Sequence, residues 1–157
     1  GQPGTTALPV ETQHGRIGTP VCFDCDFEAV PRRMAAAGAE AFVVPSMDAA
    51  RWSAAQHDQH AELFRIRACE NGSWMFVCAT SGVSQVIDPH GHVHARLPAL
   101  AGGTLTGAMK RESALTFYTR VGWLFPWLTL AAAAAAWAFL LLASVVRRRK
   151  PPLSGTE

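Results

Sequence analysis

The sequence predicts an α/β domain built on a layered sheet, followed by one membrane-spanning helix. Two observations lead to this prediction. Short apolar segments alternate with helical patterns along the first part of the chain, and no charged residue occurs between Val121 and Val146. Alternating strands and helices are typical of layered α/β sheets, and a charge-free run of that length is typical of a membrane span. The 157 residues are enough for one domain and one additional element of this kind.

Each element of the domain is predicted from a local pattern. Apolar runs predict strands, a proline near the start and a glycine near the end bound the first helix, and Asp88-Pro89-His90-Gly91 predicts a hairpin turn. Residues 1–13, rich in Gly, Pro and Thr, predict a linker or loop, so the domain is expected at residues 14–118. In chain order the predicted elements are a strand at Arg16–Phe23, a helix at Pro31–Gly38, a strand at Glu40–Pro45, a helix at Gln56–Glu70, a strand at Ser73–Thr80, and a hairpin of Ser84–Ile87 with His92–Leu97.

The apolar run at residues 121–146 predicts a transmembrane helix. At a helical rise of about 1.5 Å per residue, Leu128–Val146 alone extends about 28 Å, which matches the hydrocarbon core of a bilayer. Trp123 and Trp127 lie near one end, and a basic cluster begins at Arg147. Aromatic residues at the membrane interface and a basic cluster at the other end are typical of a membrane span. The positive-inside rule places the basic tail, residues 147–157, in the cytoplasm, with the domain on the other side of the membrane. A buried alanine-rich core helix is the alternative.

The charge balance does not indicate a nucleic-acid partner. The net charge of +2 comes from the C-terminal basic cluster, and the residues before Arg147 contain ten basic against eleven acidic side chains. The chain begins Gly-Gln-Pro-Gly without a methionine or an export signal, although a domain outside the cytoplasm requires one. We therefore expect this sequence to be the C-terminal part of a longer membrane protein.

Cys22 is the leading candidate for chemistry. An apolar run leads into it and Asp24 follows two residues later, which suits a thiol at the end of a buried strand, on a sharp turn of the kind that commonly presents nucleophiles. A thiolate is a strong nucleophile that carries acyl groups as thioesters, whereas simple packing is the alternative for any free cysteine. Cys22 and Cys25 form a C-x-x-C pair, but no second pair exists, so redox or zinc chemistry is disfavoured. Cys25, Cys69 and Cys78 are expected to pack, with a disulfide among them left open.

Three histidines alternate in the predicted hairpin. His90, His92 and His94 would share one face of a strand, which makes metal binding one interpretation. The first of them lies in a tight turn, and the set has no evident neighbouring carboxylate or thiol. A solvated hairpin is therefore favoured, and no metal site is predicted.

Two further polar groups have both a structural and a functional interpretation. Arg67 and Glu70 are one turn apart on the longer helix, where such pairs are commonly surface salt bridges. Their apolar neighbours indicate a largely buried helix, on which the pair, like His60, would instead brace a site. Ser81, in the polar run after the third strand, suits either a ligand contact or a turn.

Several of these segments, taken in order, match a known family. The match extends over residues 12 to 150, and the run before the predicted membrane helix is its most specific part. The matching residues are Gly15-Arg16-Ile17-Gly18, Val21-Cys22-Phe23-Asp24, Arg33, Gly38-Ala39, Pro45-Ser46, Asp48, Gln59-His60, Arg65-Ile66-Arg67-Ala68-Cys69-Glu70, Thr80-Ser81-Gly82-Val83-Ser84, Asp88-Pro89-His90-Gly91 and Leu115-Thr116-Phe117-Tyr118-Thr119-Arg120-Val121-Gly122. This set resembles the nitrilase, or carbon–nitrogen hydrolase, superfamily, and within it the C-terminal part of the bacterial apolipoprotein N-acyltransferases.

The resemblance implies a fold, a reaction and a location. The fold would be part of an α-β-β-α sandwich, with a Glu-Lys-Cys triad in which Cys22 is the nucleophile and the backbone N–H of Phe23 helps to hold the oxyanion. A phospholipid would donate a fatty acyl group to Cys22, and the N-terminal amine of a lipoprotein would accept it, without a cofactor. Asp24, His60, Arg67, Glu70 and Ser81 would support the site. The protein would lie in the bacterial inner membrane with its catalytic part in the periplasm.

Two features depart from the family pattern. Glu11 is the only acidic residue before Cys22, and the first lysine of the chain is Lys110, so the triad glutamate and lysine are not matched. The chain as given is therefore expected to be inactive alone. Asp24 stands where the acyltransferases more often carry glutamate and soluble amidases carry aspartate. A membrane-tethered amidase and a non-catalytic remnant are the alternatives.

Overall fold

Six strands form one mixed sheet in which the strand order follows the sequence. The computed structural model describes residues 6–112 and 114–149. The strands are β1 (Val10–Thr12), β2 (Gly15–Gly18), β3 (Ala41–Ser46), β4 (Met75–Ala79), β5 (Ser84–Ile87) and β6 (Val93–Leu97). The α-helices are α1 (Ala29–Ala36), α2 (Ala54–Asn71), α3 (Phe117–Val121) and α4 (Phe125–Arg149), and short 3-10 helices occupy Cys22–Cys25 and Gly122–Leu124.

The direction of the strands decides which loops come together. Strands β2, β3 and β4 are parallel and are connected through α1 and α2, whereas β1, β5 and β6 pair antiparallel to their neighbours. The carboxyl ends of the three parallel strands therefore lie at one edge of the sheet, where ligands of such sheets commonly bind. Because β5 returns antiparallel to β4, the β5–β6 turn lies at the opposite edge.

The core lies between the sheet and α1 and α2. Buried residues recur along α2 at helical spacing, including Ala61, Phe64 and Ala68, and they pack against the buried face of β3 and β4. Phe42 and Met75 are fully buried on that face. The domain thus supplies one sheet and one helix layer, in agreement with part of a nitrilase-like sandwich.

The predicted elements are confirmed except near the N-terminus. The predicted strand at Arg16–Phe23 is wrong in its second half, since β2 ends at Gly18 and a 3-10 helix begins at Cys22. Pro20 has no backbone N–H to donate to a strand, and Cys22 has a positive φ, so the strand cannot continue. Within the predicted linker, Val10–Thr12 instead pairs with β2 as an edge strand. Residues 1–5 of that linker lie outside the described residues.

The cysteines only partly follow the packing prediction. All four are free, so no disulfide forms among them. Cys25 is buried, as expected, but Cys69 and Cys78 are exposed. The prediction is wrong for these two because each lies on a surface-facing position of an otherwise buried helix or strand.

The C-terminal helix forms a separate unit that begins at Val121. The helical stretch Phe117–Ser144 is long and apolar enough to cross a membrane, with a mean hydropathy of 1.8. None of its apolar window is buried, which is contrary to the alternative of a core helix. Residues 150–157 of the predicted basic tail lie outside the described residues.

Candidate functional site

Cys22 lies on a strained turn at the carboxyl edge of the parallel strands. Its φ is 48°, in the left-handed region that residues with a Cβ rarely adopt. Asp24 closes the turn, because its carboxylate accepts the N–H of Val21 at 2.9 Å while its own N–H donates to the Val21 carbonyl at 2.9 Å. Strain of this kind persists only where the surrounding bonds over-determine the backbone, and it is concentrated at functional sites.

The start of the 3-10 helix also provides a backbone donor. N–H groups in the first turn of a helix have no partner within the helix. Phe23 is the second residue of the Cys22–Cys25 helix, and no acceptor for its N–H is found in residues 6–112 or 114–149. Its position directly after the cysteine is therefore suitable for holding an oxyanion that forms at Cys22.

The thiol of Cys22 contacts the end of β3. The Ser46 hydroxyl oxygen lies 3.5 Å from the Cys22 sulfur, and the Met47 carbonyl lies 3.8 Å from it. The same hydroxyl donates to Asp48 at 3.0 Å. When the Ser46 proton points to Asp48, the hydroxyl oxygen can accept the S–H, and when the sulfur is ionised the hydroxyl can turn and donate to it.

Asp48 is the centre of a buried polar cluster behind Ser46. Its two carboxylate oxygens contact Nδ1 of His60 at 2.9 Å and Nδ1 of His57 at 3.3 Å, and the side chain is nearly inaccessible to solvent. Gly82 packs directly against it: a Cβ at that position would lie 2.1 Å from Oδ2 of Asp48. The carboxylate is thus held in place from three sides.

Arg67 connects α2 to the turn that carries the thiol. Its Nε donates to the Cys25 carbonyl at 2.8 Å, and one of its terminal nitrogens donates to the Asp26 carbonyl at 3.5 Å. The other terminal nitrogen pairs with Glu70. The arginine is buried, and it contacts the backbone of the turn and the side chain of Glu70.

The two cysteines of the C-x-x-C pair differ in their burial. Desolvation raises the pKa of the buried Cys25 thiol to about 12, even though the guanidinium of Arg67 opposes that shift. Cys25 therefore stays protonated near neutral pH, whereas Cys22 is partly exposed. Of this pair, Cys22 is the thiol suited to nucleophilic chemistry.

An open groove of about 690 Å³ lies over Cys22. Its lining is mostly apolar. Three lining residues, Val21, Phe23 and Met47, are more than half exposed to solvent. The lining residues are Val21, Cys22, Phe23, Pro45, Ser46, Met47, Cys78, Ala79 and Thr80. Thr80 and not the predicted Ser81 lines this groove; the Ser81 carbonyl instead accepts the N–H of Leu100.

Three groups at the site are potential metal ligands. The donor atoms of Cys22, Asp48 and His60 lie within 4.8 Å of one another. Asp48 and His60 are engaged with each other in the buried hydrogen bonds described above. The sequence analysis predicts no metal at this site.

The sequence analysis did not assign a role to Ser46, Asp48 or His57. Ser46 and Asp48 are nevertheless among the residues that match the family, and this match was a sequence signal for a role at the site. Only the packing of the β3 end against α2 brings Asp48 to His57 and His60, nine and twelve residues further along the chain.

The fold and this site together define the class of protein. A thiol is presented on a strained turn at the carboxyl edge of parallel strands, with a free backbone donor beside it, as suits an α/β protein with a cysteine nucleophile. The carbon–nitrogen hydrolase family model matches residues 1–117, and the chain belongs to that family.

Curated relatives add a narrower similarity. The chain is 32% identical over 139 residues to the apolipoprotein N-acyltransferase of Geobacter metallireducens, covering 87% of this chain and 27% of that protein. It is 30% identical over 153 residues to the apolipoprotein N-acyltransferase of Ralstonia nicotianae, covering 96% of this chain and 28% of that protein. The chain thus spans little more than a quarter of the length of these relatives.

Solved structures have the same fold. An amidase from Nesterenkonia superposes with a TM-score of 0.54 at 27% identity, covering 64% of this chain and 41% of the amidase. A carbon–nitrogen hydrolase from Helicobacter pylori superposes with a TM-score of 0.56 at 23% identity, covering 62% of this chain and 42% of that protein.

Proposed function

We propose that Cys22 transfers a fatty acyl group from a phospholipid, through a thioester, to the N-terminal amine of a lipoprotein. Residues 14–118 would be the C-terminal part of the catalytic domain. The observation that carries the proposal is a partly exposed thiol at positive φ that opens onto an apolar groove. Such a groove suits a hydrocarbon chain, since burying apolar surface there releases water. The names of the curated relatives, apolipoprotein N-acyltransferases, support N-acyl transfer to a lipoprotein.

The first half of the reaction forms the thioester. The Cys22 thiolate attacks the ester carbonyl of the phospholipid, a C–S bond forms, and the resulting oxyanion accepts the N–H of Phe23. The C–O ester bond then breaks. The general base that has taken the proton of the Cys22 thiol returns it to the departing alkoxide, which leaves as a lysophospholipid. Ser46 stabilises the thiolate by donating its hydroxyl proton to the sulfur.

The second half of the reaction uses the thioester as an activated acyl group. The lipoprotein amine attacks the thioester carbonyl, a C–N bond forms, and the C–S bond breaks to regenerate the Cys22 thiolate. A general base takes the proton that the amine loses. One difficult amide synthesis is thereby divided into two easier transfers.

Within residues 6–112 and 114–149, no glutamate or lysine lines the groove over Cys22. Lys110 lines the same cavity as Trp74 and Asp88, at the sheet edge opposite Cys22, and Asp48 already binds Ser46 and two histidines. We propose that a glutamate and a lysine from outside these 157 residues complete the site, and that the chain alone is inactive.

The C-terminal helix suits a reaction between two lipids. We propose that residues 121–146 anchor the domain in the bacterial inner membrane, with the site on the periplasmic side and residues 147–157 in the cytoplasm. The helix is long and apolar enough for this role.

A chimera tests the proposal. Residues 14–118 would replace the matching segment of a full-length apolipoprotein N-acyltransferase relative, which supplies the missing glutamate and lysine. After incubation with phospholipid vesicles, we expect an acyl group on Cys22, detected by mass spectrometry and released by hydroxylamine, and its transfer to a diacylglyceryl-cysteine peptide. The Cys22→Ser chimera is the matched control. A folded chimera without the thioester would overturn the proposal and favour a non-catalytic remnant.

A membrane-tethered amidase is the second candidate. The similarity to the Nesterenkonia amidase favours it, as does Asp24 at a position where acyltransferases more often have glutamate. Water would then replace the lipoprotein amine as acceptor. Turnover of small amides by the chimera, without acylation of the peptide, would establish this alternative.

A further inference from the structure

Behind the thiol of Cys22, the buried ring of His60 lies between two carboxylates. Its Nδ1 is 2.9 Å from Oδ1 of Asp48, and its Nε2 is 3.3 Å from Oδ1 of Asp26. Within the described residues, this Nε2 and this Oδ1 are buried and have no hydrogen-bond partner. Buried polar atoms without a partner are costly. A ring proton on Nε2 would face Asp26, but it would leave the Nδ1 lone pair directed at Asp48, where only a cation or a second proton relieves the repulsion.

We propose that Cys22, Asp48 and His60 bind a divalent first-row transition-metal ion, for which Zn²⁺ is the appropriate probe, and that the bound ion blocks the thiol. The sequence analysis predicts no metal, because only the fold brings these residues together. One donor atom from each lies within 4.8 Å of the other two. Thiolate, carboxylate and imidazole are all zinc ligands, and bonds of about 2.0–2.3 Å place tetrahedral donors about 3.3–3.6 Å apart.

The thiol is the group that can close the remaining distance. Cys22 is partly exposed, and its sulfur has only long contacts, at 3.5 Å to the Ser46 hydroxyl and 3.8 Å to the Met47 carbonyl. Asp48 and His60 are already at 2.9 Å and are both buried. A change in the side-chain torsion of the cysteine therefore brings sulfur to an ion that the other two residues hold.

The charges of the three ligands suit a divalent ion in a buried place. One thiolate and one carboxylate balance the two positive charges, and the imidazole is neutral. The complex therefore buries no net charge, which would otherwise be costly. Binding releases the thiol proton to solvent, and the proton of His60 moves to Nε2 on the side of Asp26.

Neighbouring side chains hold the ligands in place. The Ser46 hydroxyl donates to Oδ1 of Asp48 at 3.0 Å, and Nδ1 of His57 lies 3.3 Å from Oδ2 of the same carboxylate. Asp26 stands behind the ring of His60. Such outer contacts orient the ligands of metal sites. The groove over Cys22 leaves a fourth position to water.

Zinc titration of the full chain in detergent micelles tests the site. The parent carries His92→Ala/His94→Ala, because these exposed histidines are competing ligands. The sequence analysis expected no carboxylate beside them, and this expectation is wrong: Oδ2 of Asp88 lies 3.1 Å from Nδ1 of His92 and 3.0 Å from Nε2 of His94. We expect the parent to bind one Zn²⁺ by isothermal titration calorimetry. Cys22→Ser in this parent should lose at least about 100-fold in affinity, since it lacks the thiolate ligand.

A matched control makes the loss specific. Cys69→Ser removes an exposed thiol on α2 that does not line the groove, and it should leave zinc affinity unchanged. Circular dichroism would verify that all variants are folded. A parent without bound zinc, or equal affinity of the parent and its Cys22→Ser variant, would overturn the proposal.

Protection of the thiol is the second measurement. Saturating Zn²⁺ should slow the alkylation of Cys22 by iodoacetamide at least about tenfold, as mapped by peptide mass spectrometry, whereas Cys69 in the same sample should react at an unchanged rate. Equal rates at Cys22 with and without zinc would contradict the site. The block of acyl transfer rests on the proposed function, but neither measurement involves an acyl group. A chimera without a thioester would therefore overturn the proposed function and leave the zinc site standing.

Discussion

Cys22 has an unfavourable backbone conformation that its neighbours stabilise. A residue with a Cβ at φ 48° costs about 1–3 kcal/mol. The Asp24 bond to Val21 and the Arg67 bond to Cys25 hold the turn on either side of it. This geometry directs the thiol toward the groove instead of into the core, which is why strain and exposure coincide at one residue.

The strain predicts an unusual order of stability among Cys22 variants. Cys22→Gly should be more stable than Cys22→Ala by about 1 kcal/mol, because glycine adopts positive φ without a steric penalty. The free energy of unfolding, measured by urea denaturation, checks this order. At Cys69, in the last turn of α2, the order should reverse, because glycine destabilises helices. Equal stability of the two Cys22 variants would show that the turn is not strained.

Helix α2 is the element that organises the site. It places His57 and His60 against Asp48, and about two turns after His60 it places Arg67 against the Cys22 turn. A capping box at Ser53 begins the helix, and Gly72 in the left-handed conformation ends it. The helix therefore connects the two halves of the thiol site in a single rigid element.

Substitution of Arg67 should affect both the stability of the protein and the reactivity of the Cys22 thiol. Arg67→Met is expected to cost about 2 kcal/mol, because buried charge-assisted bonds to Cys25 and Asp26 are lost. It should also change the rate at which iodoacetamide modifies Cys22. Arg51→Met, at an exposed arginine, should change neither quantity.

Glu70, which pairs with Arg67, provides a second test of a supporting role for this pair. If Arg67 and Glu70 only support the turn, Glu70→Gln should retain the thioester in the chimera. Normal folding combined with loss of the thioester would show that Glu70 takes part in the chemistry.

The loop after β4 should tolerate no side chain at Gly82. In Gly82→Ala the new methyl group would lie 2.1 Å from Asp48, whose carboxylate is held by two histidines and cannot withdraw. We expect a loss of about 2–3 kcal/mol in unfolding free energy. Gly102→Ala is the matched control, because nothing lies within 4 Å of a Cβ there, and its stability should change little. Similar values for both variants would contradict the close packing of this loop.

At the scale of the whole molecule, the chain combines a water-facing sheet domain with an apolar helix. Residues up to Arg120 form the first unit, and the second begins at Val121. Such a combination would suit the proposed reaction, whose two substrates are both lipids.

Membrane retention of the helix is directly measurable. The full chain should stay in the membrane pellet after alkaline carbonate extraction. Ala134→Arg/Phe139→Arg should release most of it, since each arginine near the centre of a span costs about 3 kcal/mol. Thr106→Arg, at an exposed position of the first unit, should remain in the pellet. Release of the unmodified chain would rule out a membrane span.

The sequence by itself determined the fold class, the order of the elements after β1 and the apolar helix, because periodicity, turn residues and hydropathy are local properties. That Cys22 is the nucleophile stays a prediction. The run around Cys22 predicted a turn there, but not its positive φ, which depends on bonds from Asp24 and Arg67 that no local pattern records. Only the tertiary structure decided that Asp48 joins Ser46 to two histidines and that Asp88 faces His92 and His94. Such contacts follow from how strands and helices pack, and they join residues whose separation along the chain carries no signal of its own.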